Sequence, residues 1–199
     1  MGPNQSDTTS IYLQKHPFTW LAPAVLSRVF VLALLLTLAL FAVILVTNTP
    51  LVNPTAPYGM VSFQLTGTLP GAQAILASWD QQTQLFAALN LGIDYLYMVA
   101  YAVTLGLGCV LLARRLAPRS PLLALLGIGL SWGVCVALLL DAAENYFLIR
   151  LLLGDQQTLW PVMARWCAIP KFALVLTALV YLIGGGLLAL ILNQKRDQS

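Results

Sequence analysis

Two carboxylates and a carboxamide follow a long apolar run in the segment Leu138-Leu139-Leu140-Asp141-Ala142-Ala143-Glu144-Asn145-Tyr146. The apolar run before them is long enough to lie in a lipid bilayer. A charge near the bilayer centre costs at least about 2.5–3.5 kcal/mol, so a charged residue there marks a candidate functional site. On a helix, the spacing of Asp141 and Glu144 places them on neighbouring parts of one face.

The composition excludes an ordinary soluble domain. The chain has 199 residues, 59% of them hydrophobic and 9% charged, and its mean hydropathy is +0.83. Soluble domains carry roughly 25% charged residues. The net charge of +3 is small and its lysines and arginines are not clustered, so nucleic-acid binding is excluded. With one histidine and three scattered cysteines, we expect no metal site and assign no cofactor.

The apolar runs predict an all-α membrane protein in which four transmembrane helices form one bundle. The predicted spans cover about residues 29–47, 91–113, 122–145 and 172–192, with the third helix continuing to Leu153. Residues 1–199 are expected to form a single four-span membrane domain. Residues 155–165 predict a short loop, and Pro170 is expected to interrupt the helical pattern before the fourth span.

The region between the first two spans, residues 48–90, predicts a structured outer loop. Its prolines at positions 50, 54, 57 and 70 oppose a regular helix. The segment from Tyr58 to Thr68 alternates weakly and is rich in strand formers, which favours a short β segment or hairpin. Residues 72–90 keep a helical period and predict an interfacial helix. No helix breaker follows, so that helix is expected to continue into the second span.

The distribution of positive charge predicts the topology. Seven basic residues fall on one side of the predicted membrane, namely Lys15, Arg28, Arg114, Arg115, Arg119, Lys195 and Arg196. By the positive-inside rule both termini are cytoplasmic and the outer loop is outside. With that orientation Asp94, Asp141, Glu144 and Lys171, from three different spans, are expected to converge at the outer margin of the membrane.

The candidate residues for binding a ligand or ion share this predicted depth or a polar helix stripe. They are Asp94, Asp141, Glu144, Asn145, Lys171, Tyr97, Tyr101, Asn90 and Arg165. An acidic group without histidine suits proton or hard-cation chemistry better than zinc or copper. No nucleophile–base pair or nucleotide loop is visible, so no catalytic residue is assigned.

Two interpretations of this polar layer are open. In the structural one, Lys171, Arg150 and Arg165 neutralise the three acids and fix how the spans pack. In the functional one, three carboxyl groups crowd one cavity, where they bind a cation, relay a proton or act as general acid or base.

Several short motifs carry a family resemblance. They are Thr55-Ala56-Pro57-Tyr58-Gly59-Met60-Val61-Ser62-Phe63-Gln64-Leu65-Thr66-Gly67, Ala77-Ser78-Trp79, Gly92-Ile93-Asp94-Tyr95-Leu96 and Asp141-Ala142-Ala143-Glu144-Asn145. With these motifs the chain resembles a family of four-span bacterial membrane proteins to which no function is assigned. The resemblance covers most of the chain beyond the first span. It implies a bacterial inner-membrane origin and one compact four-helix unit, and it supplies no substrate.

These features favour a non-enzymatic role in the lipid bilayer. The expected function is that of an accessory, assembly or small-molecule-binding protein. Its outer loop and interfacial helix would meet a partner membrane protein or a second copy of the chain. A small ion- or proton-coupled transporter using the intramembrane carboxylates is the alternative. A membrane-embedded enzyme acting on a lipid or quinone is the third interpretation.

Overall fold

The computed structural model describes residues 13–197, apart from the side chains of residue 190 and residues 192–197. Within that part of the chain all regular structure is helical and no strand forms. The main helices are α1 Leu26–Asn48, α2 Met60–Leu65, α3 Leu69–Ser78, α4 Gln81–Leu116, α5 Pro121–Leu152 and α6 Leu159–Asp197. The prediction of an all-α fold is therefore confirmed.

Four of these helices, α1, α4, α5 and α6, are long and apolar enough to cross a membrane. This confirms the predicted number of helices that are long and apolar enough to span. At about 1.5 Å per residue the 36 residues of α4 extend about 54 Å, against a hydrocarbon core of about 30 Å. A helix of this length that crossed a bilayer would have to tilt or project from it.

The outer loop is helical where a β segment was predicted, so that prediction is wrong. Helix α2 covers Met60–Leu65 and follows Gly59, whose φ is 58°. The Asn48 side chain accepts a hydrogen bond from the Met60 N–H at 2.8 Å, which satisfies a free donor at the start of α2. Burial of Phe63, which is fully inaccessible to solvent, outweighs the local strand preference of this segment.

The prediction of one continuous helix from residue 72 into the second span is also wrong, because the helix is interrupted at Trp79 and Asp80. Trp79 is extended (φ −99°, ψ 122°), and its indole N–H donates to the Leu51 carbonyl at 2.9 Å. Asp80 accepts the Thr83 N–H at 2.7 Å and so caps the start of α4. This hydrogen bonding by Thr83 lowers the pKa of Asp80 below its ordinary value.

The helix that contains the fourth predicted span begins earlier than the sequence indicates. Helix α6 starts at Leu159, so residues 159–165 are helical and the predicted loop over 155–165 is wrong. Pro161 lies in the first turn, where its missing N–H is not needed. Pro170 lies inside α6 without ending it. Gly154, with φ 90°, follows the end of α5 as the sequence indicated.

The chain divides into two compact units. One, here called the loop unit, contains Leu35–Tyr101 and Leu138–Phe172. Its buried apolar side chains join the outer helices to parts of α4, α5 and α6, and include Leu51, Met60, Phe63, Trp79, Leu91, Leu148 and Ala164. All nine candidate residues belong to this unit.

The other unit, here called the terminal unit, contains Ala102–Ala137 and the described parts of Met1–Leu34 and Ala173–Ser199. Its core includes Phe18, Leu26, Leu107, Val110, Ala113, Ala124 and Ile128. Two glycines of α5 lie close to side chains of α6: Gly133 lies against Leu174, and Gly127 packs against the Tyr181 phenol. Tyr181 also donates to the Leu123 carbonyl at 3.0 Å.

Candidate functional site

Three helices each contribute polar side chains to one buried group in the loop unit. Helix α4 contributes Asp94 and Tyr101, helix α5 contributes Asp141, Glu144 and Asn145, and helix α6 contributes Lys171. On α5 the spacing of three and four residues directs these side chains to one face. These six residues are called the carboxylate–lysine centre below.

One ammonium group serves two carboxylates. Lys171 Nζ lies 2.8 Å from Asp141 Oδ1 and 2.6 Å from Glu144 Oε2. The residues Lys171, Asp141 and Glu144 are 4%, 3% and 0% exposed. Charges withdrawn from water this completely require close partners, because the desolvation penalty is several kcal/mol per ion. For an idealised transfer from water to a low-dielectric interior it is about 20 kcal/mol.

Two further acidic oxygens of the centre meet neutral donors. The Tyr101 hydroxyl donates to Asp141 Oδ2 at 2.8 Å, and Asn145 Nδ2 donates to Asp94 Oδ2 at 2.7 Å. Asp94 and Asp141 are close enough to interact electrostatically. Tyr97 packs its ring 5.4 Å from that of Tyr101, at the edge of the centre. The three helices are therefore joined by hydrogen bonds as well as by the ion pairs.

Three fully buried oxygens of the centre have no hydrogen-bond partner. They are Glu144 Oε1, Glu144 Oε2 and Asn145 Oδ1, and both residues are 0% exposed. Of the three, Glu144 Oε2 has the charge contact with Lys171 Nζ. A buried acceptor left unsatisfied costs about 1–3 kcal/mol, more when it is charged. The centre can therefore accept a further positively charged or hydrogen-bonding group.

The charges of the centre do not balance. Lys171 supplies one positive charge, whereas Asp94, Asp141 and Glu144 supply three negative ones when all are ionised. Two negative charges are then uncompensated within a buried group. An uncompensated buried charge is unfavourable enough that the group takes up a proton or binds a counter-ion.

Two candidates lie away from the centre. The Asn90 amide donates to Thr47 Oγ1 at 2.7 Å and to the Ile44 carbonyl at 3.1 Å, so it ties α4 to α1. Arg165 is exposed and its side chain lies against Gly67. These positions identify Asn90 as a helix–helix contact and Arg165 as part of the loop surface.

In the structural interpretation, Lys171, Arg150 and Arg165 neutralise the acids. Of these three basic residues, Lys171 alone contacts the carboxylates of the centre. Arg150 pairs with Asp155 at 2.7 Å, outside the centre, and lies 5.9 Å from the centroid of the Trp160 ring. The hydrogen bond from Arg150 lowers the pKa of Asp155 below its ordinary value. Lys171 is thus left to compensate the carboxylates of the centre.

Sequence reasoning missed polar residues that shape the loop unit. Thr47 and Asn48 end the apolar run of α1, and the sequence predicts them only as its boundary. Thr47 is the partner of Asn90, and Asn48 is the partner of α2. Gln64 is 7% exposed, and its Oε1 has no hydrogen-bond partner. A polar pair at a predicted helix end was the available signal for Thr47 and Asn48, and none pointed to Gln64.

Within residues 13–197, no group of three or more His, Cys, Asp or Glu side chains is arranged to hold a metal ion. The centre instead combines carboxylates with N–H and O–H donors, an arrangement suited to moving or holding protons and small cations. Comparison with known proteins gives no match to a family model, a curated protein or a solved structure.

Proposed function

We propose that this chain is a non-enzymatic membrane protein that binds a small cation, in the broad sense that includes a proton, at the carboxylate–lysine centre. The observation that carries the proposal is the fully buried Glu144 carboxylate. It shares its only counter-ion with Asp141 and keeps one oxygen without a partner. A small positive ligand would compensate that charge and satisfy that oxygen.

We place the protein in a bacterial inner membrane, with both termini in the cytoplasm and the outer helices α2 and α3 on the periplasmic side. The four apolar helices support a multi-pass arrangement. The excess of lysine and arginine near the termini and around Arg114–Arg119 supports the orientation. The centre would then lie toward the outer side of the bilayer.

Thermal unfolding of the purified protein in detergent tests the proposed binding. The melting temperature is measured in series of sodium, potassium and hydrogen-ion concentration, with choline chloride holding the ionic strength constant. A ligand at 100 times its Kd stabilises the folded state by about 2.7 kcal/mol, so at least one series should raise the melting temperature by several degrees.

Two matched variants distinguish cation binding at the centre from a general effect of cations on surface carboxylates. Asp141→Asn should weaken the response because it lowers the uncompensated negative charge of the centre from two to one. Asp155→Asn removes a carboxylate that pairs with Arg150 outside the centre, and the response should persist. A melting temperature that is the same in all three series would refute cation binding.

A second candidate function is ion- or proton-coupled transport. It is favoured by the observation that α4, α5 and α6 all reach the centre, so a change in its charge would act on three spans together. Four spans rarely form a translocation path without oligomerising, so this function would require more than one copy. It predicts that Asp141→Asn abolishes a pH- or cation-dependent flux in liposomes while circular dichroism shows the helices intact.

An accessory or assembly role is compatible with the same centre. The exposed apolar side chains of the outer segments, Val52, Tyr58, Val61 and Leu65, would supply the contact with a partner membrane protein or a second copy. Chemical cross-linking in native membranes tests this role. Recovery of the chain only as a monomer, with no associated protein, would count against it.

A further inference from the structure

We propose that the cation bound by the carboxylate–lysine centre is a proton, and that Glu144 is the residue that holds it. The inference rests on the proposed function, because it names the ligand of the same site. It is drawn from the unequal way in which the three carboxyl groups are supplied with hydrogen-bond donors.

Asp141 is the best supported as an anion. Each of its oxygens meets a donor, Lys171 Nζ at 2.8 Å and the Tyr101 hydroxyl at 2.8 Å. Donors directed at a carboxylate favour its charged form. Asp94 accepts from the Asn145 amide and is partly exposed, so that water can also stabilise its charge.

Glu144 is the least supported as an anion. It is 0% exposed, its Oε1 has no donor, and its Oε2 has only the ammonium that it shares with Asp141. A proton on Glu144 removes the buried charge that the centre supports least well. It also reduces the uncompensated charge of the centre from two to one.

The position of Lys171 disfavours a metal ion in the same place. Its ammonium lies within 2.8 Å of both α5 carboxylates, where it would repel a second cation. The Asn145 Nδ2 atom, which points to Asp94, is likewise a donor and cannot ligate a metal. A proton needs only one oxygen, and Glu144 Oε1 provides it.

Entry of that proton is assigned to Asp94, the partly exposed acid of the centre, which interacts electrostatically with buried Asp141. Asp141 and Glu144 meet at Lys171. In the net step an O–H bond of a hydronium ion breaks, which leaves water, and an O–H bond at Glu144 forms. Lys171 keeps its proton and its ion pair with Asp141, while its attraction to the neutral Glu144 weakens.

Other titratable groups face the centre from each of its helices. They are Asp94, Tyr95, Tyr97 and Tyr101 on α4, Asp141 on α5, and Cys167 and Lys171 on α6. Isolated tyrosine, cysteine and lysine side chains titrate above about pH 8, so they already carry their protons at neutral pH. An additional proton held at neutral pH must therefore be on a carboxyl group, and infrared spectroscopy distinguishes a protonated carboxyl group from a carboxylate.

The test is infrared spectroscopy of the protein in dodecyl maltoside, a detergent without carbonyl groups, with the spectrum of each variant compared with that of the unaltered protein. A C=O stretching band of a protonated carboxylic acid should be present at neutral pH, where exposed carboxyl groups are ionised, and should shift in D₂O. Glu144→Gln should remove this band. Glu144→Asp should retain it at a shifted frequency, and Asp155→Asn should leave it unchanged.

The outcomes separate this inference from the proposed function. A band that persists in Glu144→Gln and disappears in Asp94→Asn or Asp141→Asn would place the proton elsewhere and overturn the assignment. No band at neutral pH, together with a sodium- or potassium-dependent melting temperature, would overturn the proton while leaving cation binding intact. If neither is observed, both proposals fail. Should Glu144→Gln fail to fold by circular dichroism, the frequency shift in Glu144→Asp decides the matter.

Discussion

Lys171 is a single residue on which two buried carboxylates depend, so its removal has a predictable cost. Lys171→Met keeps the length of the side chain but leaves Asp141 and Glu144 buried without a counter-ion. Breaking a buried ion pair in this way typically destabilises a protein by about 3–5 kcal/mol. We expect a loss of that size in the free energy of unfolding, measured by titration with SDS in mixed micelles.

The triple variant Lys171→Met, Asp141→Asn, Glu144→Gln removes the charges together and should recover most of the lost stability, because replacing a whole buried ion pair is often neutral. Lys15→Met, at an exposed lysine, is the matched control and should change little. A triple variant as unstable as the single one would show that Lys171 stabilises the fold by packing rather than by charge.

His16, in the terminal unit, is a second residue whose protonation matters. Its Nδ1 accepts the Phe18 N–H at 3.1 Å, so neutral His16 carries its proton on Nε2, which lies 3.1 Å from the Arg114 guanidinium. A second proton, on Nδ1, would remove the acceptor of the Phe18 N–H. Burial and the neighbouring Arg114 charge lower the pKa of His16. These contacts of His16 with Phe18 and Arg114 therefore favour the neutral imidazole. Their contribution to stability is full above the ordinary pKa of about 6.5 and falls as the pH drops through the lowered value.

Hydrogen–deuterium exchange of the Phe18 amide, corrected for its intrinsic rate, measures this effect. Protection should decrease on acidification. His16→Asn keeps an acceptor for the Phe18 N–H and cannot titrate, so its protection should be independent of pH. The same pH dependence in both proteins would rule out His16 as the cause.

At the scale of the helix, Asp80 fixes where α4 begins. Loss of an aspartate cap leaves an N–H of the first helical turn without its acceptor. Asp80→Ala should therefore lower the unfolding free energy, measured by thermal or SDS unfolding. Because the pKa of Asp80 is lowered, the cap is fully effective above its ordinary pKa and is lost as the pH falls through the lowered value. Gln82→Ala, at an exposed position in the same turn, is the control and should have little effect.

The sequence predicts the long helices well because hydrophobic length is a strong signal. The apolar runs that end near Leu153 and Val46 end in the structure within a few residues of those positions. The proximity of the charged side chains of α4, α5 and α6 also follows from the sequence. The rise per residue gives the position of each charged residue along its own helix, and these positions coincide.

The sequence predicts the short elements poorly because tertiary contacts decide them. The break before Asp80 depends on the Trp79 indole reaching the Leu51 carbonyl, and the start of α2 depends on Asn48. Neither partner lies within the local window that a periodicity argument uses. The choice between Lys171, Arg150 and Arg165 as counter-ion likewise depends on tertiary contacts, because the residue that pairs with the acids, Lys171, is the farthest from them along the chain.

At the scale of the whole molecule, the proposed orientation can be tested with single cysteines in a cysteine-free background. A membrane-impermeant maleimide applied to intact spheroplasts should label a cysteine at Tyr58, which is exposed in the outer loop. A cysteine at Arg115, in the last turn of α4, should react only after the membrane is permeabilised. The reversed pattern would invert the orientation and place the centre toward the cytoplasm.

The order of the charges along the chain has a consequence for biogenesis. A ribosome releases Asp94, Asp141 and Glu144 before Lys171, so the hairpin of α4 and α5 reaches the insertion machinery ahead of its counter-ion. During that interval the acids must be neutralised by protons or remain in water. We therefore expect the first three spans to be integrated incompletely until synthesis of the last span is finished.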